Sequence, residues 1–136
     1  MATSDKQILK YELIEGSIKT DNFIKFMDEL NRTNNNYSYL IDNASIHSNK
    51  KTKEFFKLNK MNVIYNAPYQ SKFNPIEMVF SLLRKELNKK VVKNKTEINN
   101  CVNEFIKNIK KETLKNIFNH STKILKSYLN SNSQNT

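Results

Sequence analysis

The sequence has one cysteine, one glycine, two prolines, two arginines and no tryptophan among 136 residues. Each scarcity excludes something. Cys101 alone cannot form an internal disulfide or a cysteine-based zinc cage. A reducing intracellular setting is therefore expected. One glycine and two prolines argue against a loop-rich or repeat-built β protein, and no internal repeat is visible. With only Arg32 and Arg84, extensive bidentate reading of base edges by arginine is not expected. No apolar run approaches the ~20 residues that span a bilayer. The first ten residues, MATSDKQILK, contain no apolar signal core, so neither secretion nor a membrane partner is expected.

Lysine and asparagine are plentiful instead. The formal charge is +10, and it is unevenly spread. Residues 1–83 carry 11 basic and 9 acidic groups, a net +2; residues 84–136 carry 12 and 4, a net +8. A basic half of this kind attracts polyanions by neutralising phosphates and releasing counterions. A solvated lysine face that only confers solubility would give the same count. Hydrophobic content of 38% over this length suits a single domain with a modest core.

Periodicity divides the chain. Residues 1–7 read as a polar lead, and residues 8–14 (ILKYELI) as a strand closed by Gly16. Phe23, Phe26, Met27 and Leu30 recur at helical spacing, with Thr20 or Asp21 as the cap. Residues 37–41 (YSYLI) form a buried strand ending at Asp42. A helix capped by Ser48 or Asn49 follows, with Phe55, Phe56 and Leu58 inward, and residues 61–65 (MNVIY) make another strand. Asn74-Pro75 opens a helix that buries Phe80, Leu83 and Leu87. A lysine-rich link precedes a helix capped by Thr96 and a last helix through Leu129, and residues 131–136 read as a disordered tail. The order β-α-β-α-β-α-α-α predicts an α/β fold with parallel strand pairs.

Two carboxylates punctuate this pattern. Asp42 ends a strand, and Glu77 stands in the first turn of a later helix with 34 residues between them. Open α/β sheets gather ligands at the carboxyl ends of their strands. Two acids there could share a hard divalent cation. Each also has a purely structural explanation. Asp42 can close an Asx-turn, and Glu77, third after an Asn74 cap, can complete a capping box.

The flanking residues favour the chemical explanation. Asp42, Asn43, Ala44 and His47 form one motif; Pro68, Tyr69, Ser71, Asn74, Pro75, Ile76 and Glu77 form a second. Together, over about residues 8–90, they resemble the catalytic domain of DDE transposases of the mariner-like superfamily. Lys72 replaces the usual proline after Ser71, and Ala67-Pro68 the usual paired prolines.

The resemblance implies a ribonuclease-H-like fold and metal-dependent DNA cleavage and joining, as in transposition and integration. Asp42 and Glu77 would be the second and third catalytic acids, binding Mg²⁺ or Mn²⁺, with Asn43, His47 and Asn74 beside the site. Lys72, Arg84, Lys85, Lys89 and Lys90 are the candidate nucleic-acid contacts.

The family's first acid has no counterpart among Asp5, Asp21 and Asp28. The expected picture is an N-terminally truncated catalytic domain over 8–90 with extra basic helices over 91–130, inactive alone. Its partners would be DNA and a homodimer mate or a complementing N-terminal fragment, in the nucleus if the host is eukaryotic. Two alternatives stand beside it. One is a non-catalytic nucleic-acid-binding remnant using the lysine-rich C-terminal helices. The other is a complete enzyme that recruits Glu12 or Glu15 as the third ligand.

Overall fold

A computed structural model of the chain describes residues 1–67, 70 and 73–133. Pro68, Tyr69, Ser71 and Lys72, all named above, lie outside the described residues, as do 134–136. The elements in order are β1 (Ala2–Thr3), β2 (Ile8–Lys10), α1 (Thr20–Thr33), β3 (Ser38–Ile41), α2 (Ser45–Ser48), α3 (Lys50–Leu58), β4 (Asn62–Tyr65), α4 (Pro75–Asn88), α5 (Lys95–Asn108) and α6 (Lys111–Ser133). They fall into two compact units: Glu12–Asn74, and Met1–Tyr11 together with Pro75–Thr136.

The unit Glu12–Asn74 is built on a β-α-β crossover. β3 and β4 pair in parallel with Ser38 opposite Asn62, Leu40 opposite Ile64 and Ile41 opposite Tyr65. Parallel neighbours need a long connection, and α2 and α3 supply it. Helix α1 buries Met27 and Leu30, the inner pair of its predicted stripe. Its cap is Lys19 rather than Thr20 or Asp21. The Thr20 hydroxyl instead accepts a hydrogen bond from Asn49 Nδ2 at 2.9 Å, tying α1 to the start of α3. Asn49 caps α3 as expected, accepting from the Thr52 amide at 3.0 Å.

Two inward assignments fail in this unit. Leu58 is 82% exposed. At about 100° per residue it lies on the opposite side of the helix from the buried Phe56. Strand β3 is not buried on both faces either. Tyr39 points inward, while Leu40 and its partner Ile64 are exposed. This is the alternation that a half-buried strand shows. Just past α3 and its cap Asn59, Lys60 has a φ of 51°, the left-handed position usually given to glycine. The Met61 amide reaches back to the Phe56 carbonyl at 3.0 Å, closing a Schellman turn.

In the other unit, residues 1–7 are more than a lead. Ala2–Thr3 pairs antiparallel with Ile8–Lys10. The Ser4 hydroxyl organises the connecting turn, accepting from the Lys6 and Gln7 amides at 3.2 Å. Strand β2 stops at Lys10, short of the predicted 14. A core forms where Val79 of α4 meets Leu114 and Ile117 of α6, with Met1, Ile8, Leu82 and Phe105 packed around it. Helix α4 therefore buries Pro75, Val79 and Leu83, and leaves Phe80 and Leu87 half-buried. The cap of α5 is Asn94, two residues before Thr96. Its side chain accepts from the Glu97 amide at 3.0 Å while Glu97 accepts from the Lys93 amide at 2.7 Å. Helix α6 continues to Ser133, so residues 131–133 are helical where a disordered tail was expected.

Candidate functional site

Because β3 and β4 are parallel, their carboxyl ends share one edge, and the first motif lies on it. The ladder runs one residue further, with the Asn66 amide donating to the Ile41 carbonyl at 2.7 Å. Asp42 comes next, its side chain 51% exposed. Its Oδ1 accepts the Ala44 amide at 2.9 Å, which is the Asx-turn. The same oxygen lies 2.6 Å from His47 Nδ1.

His47 is held from three sides. Its ring lies 4.2 Å from that of Phe23, centroid to centroid. Its carbonyl accepts the Tyr65 hydroxyl at 2.8 Å, and its Nδ1 faces Asp42. Burial pushes the Tyr65 phenol above its ordinary range. Asn43 Nδ2 donates across the edge to the Asn66 carbonyl. Asn66 is buried and donates through Nδ2 to the Gln70 carbonyl at 2.7 Å. Asp42, Asn43 and His47 are thus brought together as expected. Tyr65 and Asn66 belong to the same network and were not singled out from the sequence. The available signal was that Asn66-Ala67 repeats Asn43-Ala44 at the end of a second apolar strand.

This network predicts a graded response at position 47. His47→Phe keeps the ring contact with Phe23 and loses the Asp42 contact, which costs about 1 kcal/mol for a half-exposed charge-assisted bond. His47→Ala loses both contacts and costs about 2 kcal/mol. Urea denaturation should order the proteins wild type, His47→Phe, His47→Ala.

Glu77 is half-buried in the first turn of α4, third from Pro75, and therefore belongs to the other unit. Asn74, immediately before Pro75, is 7% exposed. Of the candidate nucleic-acid contacts, Arg84 and Lys85 are exposed on α4. Lys89 pairs with Glu86 at 2.6 Å, and Lys90 pairs with Glu104. The Glu104 bond raises Lys90 above the ordinary lysine range and lowers the Glu104 carboxyl. Among the described residues, no group of three or more His, Cys, Asp or Glu side chains is placed to hold a metal ion. Asp42 and Glu77 are each oxygen donors of the kind Mg²⁺ takes.

The family profile described as DDE superfamily endonuclease matches residues 1–99. The chain belongs to that family. The match begins before the motif region, taking in the β1–β2 hairpin, and ends inside α5.

Solved structures agree on the fold. The Mos1 transposase catalytic domain, in a structure with raltegravir and Mg, superposes with a TM-score of 0.79 at 15% identity, covering 92% of this chain and 71% of that one. The corresponding structure with Mn gives 0.79 at 15%, covering 92% and 72%. The crystal structure of the catalytic domain of Mos1 mariner transposase gives 0.78 at 13%, covering 92% and 70%. The fold of this DDE endonuclease-family chain is therefore ribonuclease-H-like. A search of curated proteins gives no match.

Proposed function

We propose that this chain is part of a mariner-like transposase catalytic domain and handles DNA strands for cleavage and transfer. Asp42 and Glu77 are two of its acids, and Asn43, His47 and Asn74 support them. The observation that carries the reading is the Asp42 edge: a half-exposed carboxylate at the end of a parallel strand, oriented by Ala44 and His47, in a chain of the DDE endonuclease family. The Mos1 structures with Mg and Mn support the choice of metal. Such ions clamp the attacking and leaving oxygens of a phosphoryl transfer. This chain's own part is to hold the carboxylates. The reading assigns two acids to this chain, Asp42 and Glu77, and expects the chain to be inactive alone.

The test is a nicking assay. The purified chain is incubated with duplex DNA and Mg²⁺ or Mn²⁺, alone and with an added segment that carries an acidic strand. No cleavage alone and recovery on addition is the expected result. Robust metal-dependent cleavage by the chain alone would overturn the missing-acid argument.

A second reading rests on the net +8 of residues 84–136. In it the basic helices bind nucleic acid without catalysis. Binding would then survive Asp42→Ala and Glu77→Ala, and addition of the acidic segment would restore nothing. Under either reading DNA is the partner, and in a eukaryotic host the site of action is the nucleus. The described helices include none long and apolar enough to cross a membrane.

A further inference from the structure

The sequence directs attention to basic residues around and after α4. The structure shows another basic surface, in the unit that carries Asp42. A groove of about 380 Å³ is lined by Ser48, Lys50, Lys53, Glu54 and Lys57. The three lysines are spaced i, i+3, i+7, so they share one face of α3. Against Glu54 they leave the groove with a net charge of +2.

The groove is connected to the Asp42 edge. Lys53 Nζ lies 5.8 Å from the centre of the Tyr65 ring. The Tyr65 hydroxyl binds the His47 carbonyl, and the His47 ring faces Asp42. Ser48, at the groove's end, directly follows His47.

The acid in the groove is a weak competitor. Lys50 and Glu54 are 3.9 Å apart with side chains 90% and 61% exposed. An exposed pair of this kind is screened and loosely held, so a phosphate can displace it. Lys51 faces elsewhere and pairs with Asp21 at 2.5 Å. From Lys50 to Lys57 the helix rises roughly 10 Å, about three nucleotide steps of one DNA strand. Lysine is a point charge suited to phosphates rather than base edges.

We propose that the Lys50–Lys53–Lys57 groove is a sequence-independent contact for the DNA backbone, leading a strand toward the Asp42 edge. It rests on the DNA-handling reading above, and names a surface which that reading did not assign.

The test is fluorescence anisotropy of the whole chain with a mixed-sequence 20-base-pair duplex, from 50 to 300 mM salt. Each lost phosphate contact removes about 0.9 from the slope of log K against log salt. The variant Lys50→Gln/Lys53→Gln/Lys57→Gln should bind 10- to 100-fold more weakly at 100 mM salt, with the slope reduced by about 2 to 3. Lys51→Gln should match wild type. Glu54→Gln should bind about 3-fold more tightly, a gain that misfolding cannot mimic. Wild-type slope and affinity in the triple variant would overturn the groove while leaving the DNA reading intact. So would a loss confined to Lys123→Gln/Lys126→Gln on α6. Absence of DNA binding by the wild-type chain would overturn both.

Discussion

Asp42→Asn will abolish metal-dependent nicking in the chain supplied with its completing acidic segment, by 10³-fold or more, and Glu77→Gln will do the same. These substitutions separate chemistry from architecture. Asparagine is as good an Asx-turn former as aspartate. Its oxygen can still accept from the Ala44 amide and a His47 N–H, the two contacts that Asp42 Oδ1 makes. If Asp42 only ends a strand, Asp42→Asn is silent. Glutamine is likewise accepted at the third position of a capping box, so Glu77→Gln is silent if Glu77 only supports the start of α4.

What both substitutions remove is one negative charge with almost no change of shape. A divalent cation held by carboxylates loses much of its attraction to the site. A 10³-fold loss corresponds to about 4 kcal/mol of transition-state stabilisation, a reasonable share for a carboxylate that would hold the ion under the proposed reading. Retained DNA affinity and an unchanged urea midpoint, measured alongside nicking, show that the loss lies in the chemical step. Activity within a few-fold of wild type would remove the residue from the site.

The parts of this molecule that were legible in the sequence have strong local signals. The α1 stripe, the Asn49 cap of α3, the Asn74-Pro75 start of α4 and the β3–β4 pair all follow from spacing and residue type. The misses share a different cause. Thr20 reads as a cap because threonine suits that place, but its hydroxyl serves Asn49, 29 residues away. Thr96 lost its place to Asn94 because Glu97 reinforces the earlier start of α5. The β1–β2 hairpin was hidden because two- and three-residue strands show no measurable alternation. At the edge itself, the motif gave Asp42, Asn43 and His47. The role of Tyr65 depends on strand register, which sets Ile41 opposite Tyr65, and no local pattern encodes that. The same limit applies to the α3 groove. Its lysines read as one more stretch of charge until β4 places Tyr65 beneath Lys53.

Leu114→Ala will destabilise the protein by about 3 kcal/mol, the largest stability effect expected of a single side chain here. Leu114 is 1% exposed, against Val79 at 0% and Ile117 at 5%. Trimming a fully buried leucine loses its transfer free energy and leaves a cavity, and such changes span roughly 2 to 5 kcal/mol. The middle of that range suits a small cluster at a helix–helix contact, which can partly close around the void. For a chain of this length the shift in melting temperature is on the order of 10 °C. Leu129→Ala on the same helix provides the contrast. Leu129 is 54% exposed, so its loss should stay within about 0.5 kcal/mol. The comparison has a functional side. Val79 is two residues from Glu77 on α4, and the packing of Val79 on Leu114 fixes that helix against α6. A looser α4 lets the Glu77 carboxylate wander, and a misplacement of about 1 Å can cost 10²-fold in rate. In the completed protein, Leu114→Ala should therefore lose activity at temperatures well below its own melting point, whereas Leu129→Ala should lose none.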